Sequence, residues 1–171
     1  MRGGDCVAEM IDDNTIELEE DTLKDRYLMF SIGHEVYGIE VRYVIEIVGI
    51  QPITEIPEFP EYVKGIINLR GKIIPVIDIR LLFKKEPKDY NDRTCIIVID
   101  IKNISIGLIV DTVSEVITIP EQDIVEPPQI NKGAYNKYIK NIGKVGSDIK
   151  LLLDCEKLLS EDELMEINEV F

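Results

Sequence analysis

The feature that most constrains this chain is a block of sequence written twice. Val36-Tyr-Gly-Ile-Glu-Val-Arg-Tyr-Val-Ile-Glu-Ile47 lies over Ser105-Ile-Gly-Leu-Ile-Val-Asp-Thr-Val-Ser-Glu-Val116 at a constant shift of 69 residues. Gly38 falls on Gly107, Val41 on Val110, Val44 on Val113 and Glu46 on Glu115. A second block follows at a shift of 76, placing Tyr62–Ile66 on Tyr138–Ile142, Ile73–Asp78 on Ile149–Asp154, and Leu82-Phe83 on Leu158-Leu159. The seven extra residues of the second copy fall between Ile119 and Tyr138, in a stretch that holds Pro127, Pro128 and Gly133, as an enlarged loop would. Its counterpart, Gln51 to Glu61, is punctuated by Pro52, Pro57 and Pro60. Gly, Glu, Tyr and Asp fall into register together with the aliphatic residues, so Ile-rich strands that merely look alike do not account for the match. Two similar units are the expectation.

Each copy reads as short β-branched runs separated by turn signals, the pattern of a sandwich or small barrel. In the first copy Arg26 to Ile32 and Glu35 to Val41 flank the turn Gly33-His34. Val41, Val44, Ile45 and Val48 then recur at helical spacing, which predicts one short helical turn. Lys64 to Leu69 and Lys72 to Ile79 flank Arg70-Gly71, where Gly supplies a positive φ. The second copy repeats the scheme with Arg93 to Ile101, Ser105 to Val110, Ile139 to Val145 and Ile149 to Leu153. Four to five strands in about 70 residues suit an SH3-like or OB-like barrel, whose closure removes exposed edges. Ser160-Glu-Asp-Glu163 is a capping box that opens a C-terminal helix over 160–171, with Leu164, Ile167, Val170 and Phe171 available to pack back on a barrel. The predicted layout is therefore a leader over 1–22, one barrel over 23–90, a second over 91–159, and the helix.

The formal charge is −14, and its distribution excludes more than its size does. Residues 1–25 carry nine acids against Arg2 and Lys24. Such a segment buries too little apolar surface to offset its ordering entropy, so a mobile acidic leader is expected. No basic stripe is present for phosphate contacts, which argues against nucleic acid or an anionic membrane as the main partner. No apolar run reaches the roughly 18 residues of a membrane span, and the start lacks the pattern of a signal peptide. A cytoplasmic location is the expectation, with Cys6, Cys95 and Cys155 as reduced, mostly buried thiols.

Catalytic chemistry finds little to stand on. His34 is the only histidine and sits in a turn, which leaves no base beside a Ser, Thr or Cys nucleophile. One His with three scattered Cys lacks the paired spacing of zinc ligands. Gly71-Lys72 lacks the spacing of a phosphate-binding loop. Asp78 and Asp154, at equivalent places in the two copies, form the one carboxylate pair that a hydrolase could use. The plainer reading is that each ends an apolar strand and accepts hydrogen bonds in the following turn.

Residues shared by both copies most simply serve the fold, which at first sight covers Gly38/Gly107, Val41/Val110, Glu46/Glu115 and Asp78/Asp154. The clearest difference is Asn68-Leu-Arg-Gly71 against Lys144-Val-Gly-Ser147. An Arg at a hairpin tip where the other copy has Gly serves no folding need, and its guanidinium can pair with a carboxylate in this chain or in a partner.

Taken together, Tyr37-Gly-Ile, Val44-Ile-Glu-Ile47, Tyr62-Val-Lys-Gly65, Asn68-Leu-Arg-Gly71, Ile74-Pro-Val-Ile-Asp-Ile-Arg80, Gly107-Leu-Ile-Val-Asp111 and Leu153-Asp154 with Leu158-Leu159 resemble the CheW family of bacterial chemotaxis coupling proteins. The resemblance covers about residues 25–160. It implies a mainly β protein of two similar five-stranded SH3-like β-barrels packed side by side, with short helical turns, no catalytic activity and no cofactor. It also implies two partners, the regulatory domain of the histidine kinase CheA and the cytoplasmic tip of methyl-accepting chemoreceptors. Under it, Arg70 and Glu46 matter for coupling, with Val44, Ile47, Gly65, Asn68 and Gly71 beside them and Val110 and Val113 at the seam between the barrels. Glu46 is thus a repeated residue recruited for function in one copy. A receptor hairpin laid in a groove between the barrels would complete the scheme. The alternatives are a detached scaffold module like the CheA regulatory domain or a CheV-like protein, and, further off, a hydrolase using Asp78 and Asp154.

Overall fold

The structure is a computed structural model that describes residues 24–127 and 137–170. The acidic leader, Pro128, Gly133 and Phe171 lie outside the described residues, as does the side chain of Val170. Eleven strands follow from the β-branched runs: β1 (Arg26–Ile32), β2 (Glu35–Glu40), β3 (Val44–Gly49), β4 (Val63–Leu69), β5 (Lys72–Asp78), β6 (Cys95–Ile101), β7 (Ile104–Val110), β8 (Thr112–Thr118), β9 (Ile124–Val125), β10 (Ile139–Val145) and β11 (Asp148–Leu153). A one-turn helix, α1 (Ile79–Leu82), follows β5, and α2 (Glu161–Val170) follows the second copy. The capping box forms as its sequence predicts. Glu163 N–H donates to Ser160 Oγ and Ser160 N–H to Glu163 Oε1, both at 3.1 Å. Leu164 and Ile167 are buried beneath α2.

The strands assemble into a six-stranded sheet, β8-β1-β2-β11-β10-β9, and a five-stranded sheet, β3-β6-β7-β5-β4. Under the repeat alignment the two orders are the same. The extra strand, β9, pairs Val125 with Ile142, and its counterpart is the single bridge Thr54↔Ile66. Each sheet holds the expected five equivalent strands, and one gains a short sixth, because the longer loop of the second copy lets two residues pair where the first copy pairs one.

The contiguous barrels expected over 23–90 and 91–159 are corrected more deeply. The five-stranded sheet is built from β3 to β7, and the six-stranded sheet combines β1-β2 with β8 to β11. The hairpin of each repeat therefore completes the sheet of the other. Parallel pairs make the exchange, β2 with β11 (Gly38↔Leu152) and β7 with β5 (Gly107↔Val76). Gly38 and Gly107 are needed at these contacts. A Cβ on Gly38 would lie 2.9 Å from Met29 Sδ and 3.0 Å from Leu152 Cδ2, and one on Gly107 would lie 2.8 Å from Val76 Cγ1. The shared glycines are fold residues, as the repeat suggested.

Packing explains why the strands read as near-continuous aliphatic runs. In β6, Ile96 and Val98 belong to a cluster with Ile67, Ile74, Val76 and Ile109 inside the five-stranded sheet. Ile97, Ile99 and Ile101 face the other way, into a larger cluster shared by both sheets with Phe30, Tyr37, Ile77, Leu108 and Leu153. A strand buried on both faces has no polar face to alternate. Aromatic rings thread the shared core, Phe30–Tyr37 at 5.9 Å, Tyr37–Phe83 at 5.3 Å and Phe83–Tyr138 at 5.4 Å. The helical turn expected after Val41 shrinks to one 3-10 turn, Val41–Tyr43. From Val44 on, edge pairing with β6 captures the β-branched run as strand.

Candidate functional site

The β4–β5 hairpin joins Leu69 to Lys72 through two residues, Arg70 and Gly71, with φ of +54° and +85°. Positive φ at both positions is what a type I′ turn requires. Asn68 supports the turn, its Oδ1 accepting from Gly71 N–H at 2.8 Å. Left-handed backbone costs a residue with a Cβ about 1 kcal/mol, and the second copy avoids that cost with Gly146 at φ +62°. In the first copy a strained Arg stands where Gly would be relaxed.

The guanidinium of Arg70 donates from Nη1 to Glu46 Oε1 at 2.7 Å. The side chain of Arg70 is 73% exposed and that of Glu46 is 25% exposed. The bond connects the hairpin tip to β3, at the opposite margin of the same sheet. Exposed pairs of this kind contribute little to stability, so the tip presents a solvent-facing guanidinium oriented by a single bond to Glu46. Glu46 lies on the half-buried row of β3 with Val44 and Val48, while Ile45 and Ile47 face outward, 51% and 42% exposed. Ile73, beside Asn68 across the hairpin, is also exposed. Large aliphatic side chains in water near a solvent-facing Arg in the same sheet are the composition of protein-contact surfaces.

The other expected residues fall differently. Gly65, at φ +147°, allows the backbone at Thr54 to approach, since a Cβ there would sit 2.0 Å from Thr54 O. Its role is in the fold. Val44 and Val113 are partly buried against the shared core. Val110 is corrected as a contact residue, because it is 1% exposed and its side chain is spent on the core between the sheets.

Asp78 and Asp154 are N-caps. Asp78 Oδ1 accepts from Arg80 N–H at 2.9 Å and Asp154 Oδ1 from Glu156 N–H at 3.0 Å. Asp78 Oδ2 accepts from Tyr90 Oη–H at 2.8 Å, and burial together with that bond raises the Tyr90 pKa. Among the described residues no group of three or more His, Cys, Asp or Glu side chains is placed to hold a metal ion. Cys155 is buried, and burial raises its pKa.

Sequence reasoning missed the ion pairs at the seam. The chain crosses between sheets twice, at Val41–Tyr43 and at Asp111. Asp111 Oδ1 and Oδ2 accept from Arg80 Nε and Nη2 at 2.9 and 2.7 Å, and Oδ2 also accepts from Gly33 N–H at 2.8 Å. Burial alone would raise the Asp111 pKa, but Arg80 and the Gly33 N–H outweigh it and hold the carboxyl below its usual range. At the other crossing Arg42 Nη2 donates to Tyr43 Oη at 3.1 Å, and Tyr43 Oη–H donates to Glu156 Oε2 at 2.9 Å. Burial and that bond push the Tyr43 pKa up to about 12. A signal was available, because the repeat lays Arg42 on Asp111 and Arg80 on Glu156, inverting the sign at both positions.

A model of the CheW-like domain matches residues 26–163. The chain is 34% identical over 154 residues to chemotaxis protein CheW of Klebsiella aerogenes, covering 90% of this chain and 93% of that protein. It is 33% identical over 142 residues to chemotaxis protein CheW of Treponema pallidum, covering 81% and 84%. The crystal structure of the scaffolding protein TtCheW from Thermoanaerobacter tengcongensis superposes with a TM-score of 0.75 at 36% identity, covering 81% of this chain and 94% of that one. Repeat, sheet order and sequence agree, and the chain belongs to the CheW-like family of chemotaxis scaffold proteins.

Proposed function

We propose that this chain is a non-enzymatic cytoplasmic adaptor that couples the tips of methyl-accepting chemoreceptors to the histidine kinase CheA. Membership of a scaffold family supports the adaptor role. The observation that carries the finer reading is Arg70, held in a left-handed turn that Gly fills in the other copy and aimed by Glu46. A strained residue with an exposed, oriented charge is retained for what it touches outside the chain. On the same sheet, Ile45, Ile47 and Ile73 offer exposed apolar area, and Asn68 and Gly71 shape the tip. The apolar groups supply affinity, and Arg70 supplies orientation and discrimination. Tethering then raises the effective concentration of kinase near receptor without any change of shape in the adaptor.

The test is charge reversal at the tip. Arg70→Glu should fold normally and lose co-sedimentation with receptor fragments or pull-down of CheA. Undiminished recovery of both partners would remove Arg70 from the coupling surface. A hydrolase reading is disfavoured by the capping bonds of Asp78 and Asp154. Folded Asp154→Asn should bind partners as the natural chain does.

A further inference from the structure

We infer that the inverted charges at the two crossings select which hairpin completes which sheet. Each repeat has two ways to close. In the observed one, β7 lies beside β5 and β2 beside β11. In the contiguous one, β2 would lie beside β5 and β7 beside β11, and each repeat would form its own sheet. Both use strands of six or seven residues with a Gly at the equivalent place in β2 and β7.

The glycine contacts at the exchange point do not discriminate between the two arrangements, although Tyr37 of β2 and its counterpart Ile106 of β7 differ in size. Gly107 makes room for Val76 and Gly38 makes room for Leu152, and each strand presents its Gly at the equivalent place. Either glycine strand can therefore lie against either facing side chain. The charges two residues beyond the contacts do discriminate. Asp78 is level with Ile109 in the parallel pair, which brings Arg80 to Asp111. The equivalent pair brings Arg42 toward Glu156, whose carboxylate raises the Arg42 pKa after the larger effects of Glu40 and burial. In the contiguous arrangement the same geometry would set Arg42 against Arg80 and Asp111 against Glu156. Opposite signs at both crossings in one topology become like signs at both in the other. Like charges held together disfavour a pairing even where its apolar contacts are sound.

Refolding of the full chain from denaturant tests this. Arg42 is exposed, as is Glu156, so changing both leaves the core intact. In Arg42→Gln with Glu156→Gln, both like-charge clashes of the contiguous arrangement are gone, and the fraction of chains that reach the native state slowly should at least double. In Arg42→Glu with Glu156→Arg the contiguous contacts become attractive, and the fraction should rise further. Tyr43→Phe breaks the relay to Glu156 but keeps every charge, so it should lose stability while refolding in the natural proportions. Amide contacts between Val76 and Gly107 in the NMR spectrum identify the exchanged pairing in the product. The inference is overturned if the Gln pair refolds in the natural proportions, or if Tyr43→Phe raises the slow fraction as much as the Gln pair does. The Gln pair alone decides the matter should the reversed pair not refold.

Discussion

At Arg70 the proposed coupling role and stability pull in opposite directions within one side chain. Its φ of +54° is unfavourable for any residue with a Cβ, and its ion pair is exposed. Arg70→Gly should therefore raise stability by about 0.5–1 kcal/mol in denaturant titration, while weakening partner capture. Arg70→Glu should change stability by no more than about 0.5 kcal/mol. A large loss in either variant would make the residue structural. Asp111 gives the opposite case, a pair that serves the seam. Its folded pKa is depressed, so the stability it contributes is complete above the unfolded value of about 4. That contribution is lost as the pH falls through the lower folded value. Acid titration of Asp111→Asn should show a shallower loss of stability below about pH 4 than the natural chain.

At the scale of elements, the glycines rank by what surrounds them. Gly71 has positive φ but open space, and Gly65 has both a strained φ and the Thr54 carbonyl in the way. Gly71→Ala should cost about 1 kcal/mol, and Gly65→Ala should cost more, about 3 kcal/mol or above, by urea midpoint. Equal costs would mean that the Thr54 segment moves aside freely. The elements also mark how far the sequence could be read. Strand runs, hairpin turns and the α2 capping box were legible because each is a local signal. β3 and β8 were not named as strands, because Val41, Val44, Ile45 and Val48 fit a helical period as well as an edge strand. Edge pairing to β6 decided between them. Arg70 was legible as a candidate through the difference between the copies, whereas Glu46, the same in both, came forward only through the family resemblance; Val110, also taken from that resemblance, is buried in the core, which a motif does not reveal.

For the whole molecule, the repeat alignment gave the equivalence of the two units but was silent on exchange. The repeat pattern alone does not say which copy supplies a given neighbour. The sign inversions at 42/111 and 80/156 are written in the sequence, but they become meaningful only once the parallel neighbours are known. Because the largest core cluster draws residues from both sheets, neither sheet should survive loss of the other. Denaturant unfolding should be a single transition seen alike by tyrosine fluorescence and far-UV circular dichroism. Two separated transitions would show that the units stand independently.

The exchange also sets an order of events during synthesis. The five strands of the inner unit, residues 44–110, leave the ribosome as one uninterrupted stretch and have all their neighbours to hand. The β1–β2 hairpin meets its last neighbour only when β11 emerges more than a hundred residues later. Its apolar residues can already rest on the inner unit, with which they share the core, but its edge beside Gly38 stays open until the last strand arrives.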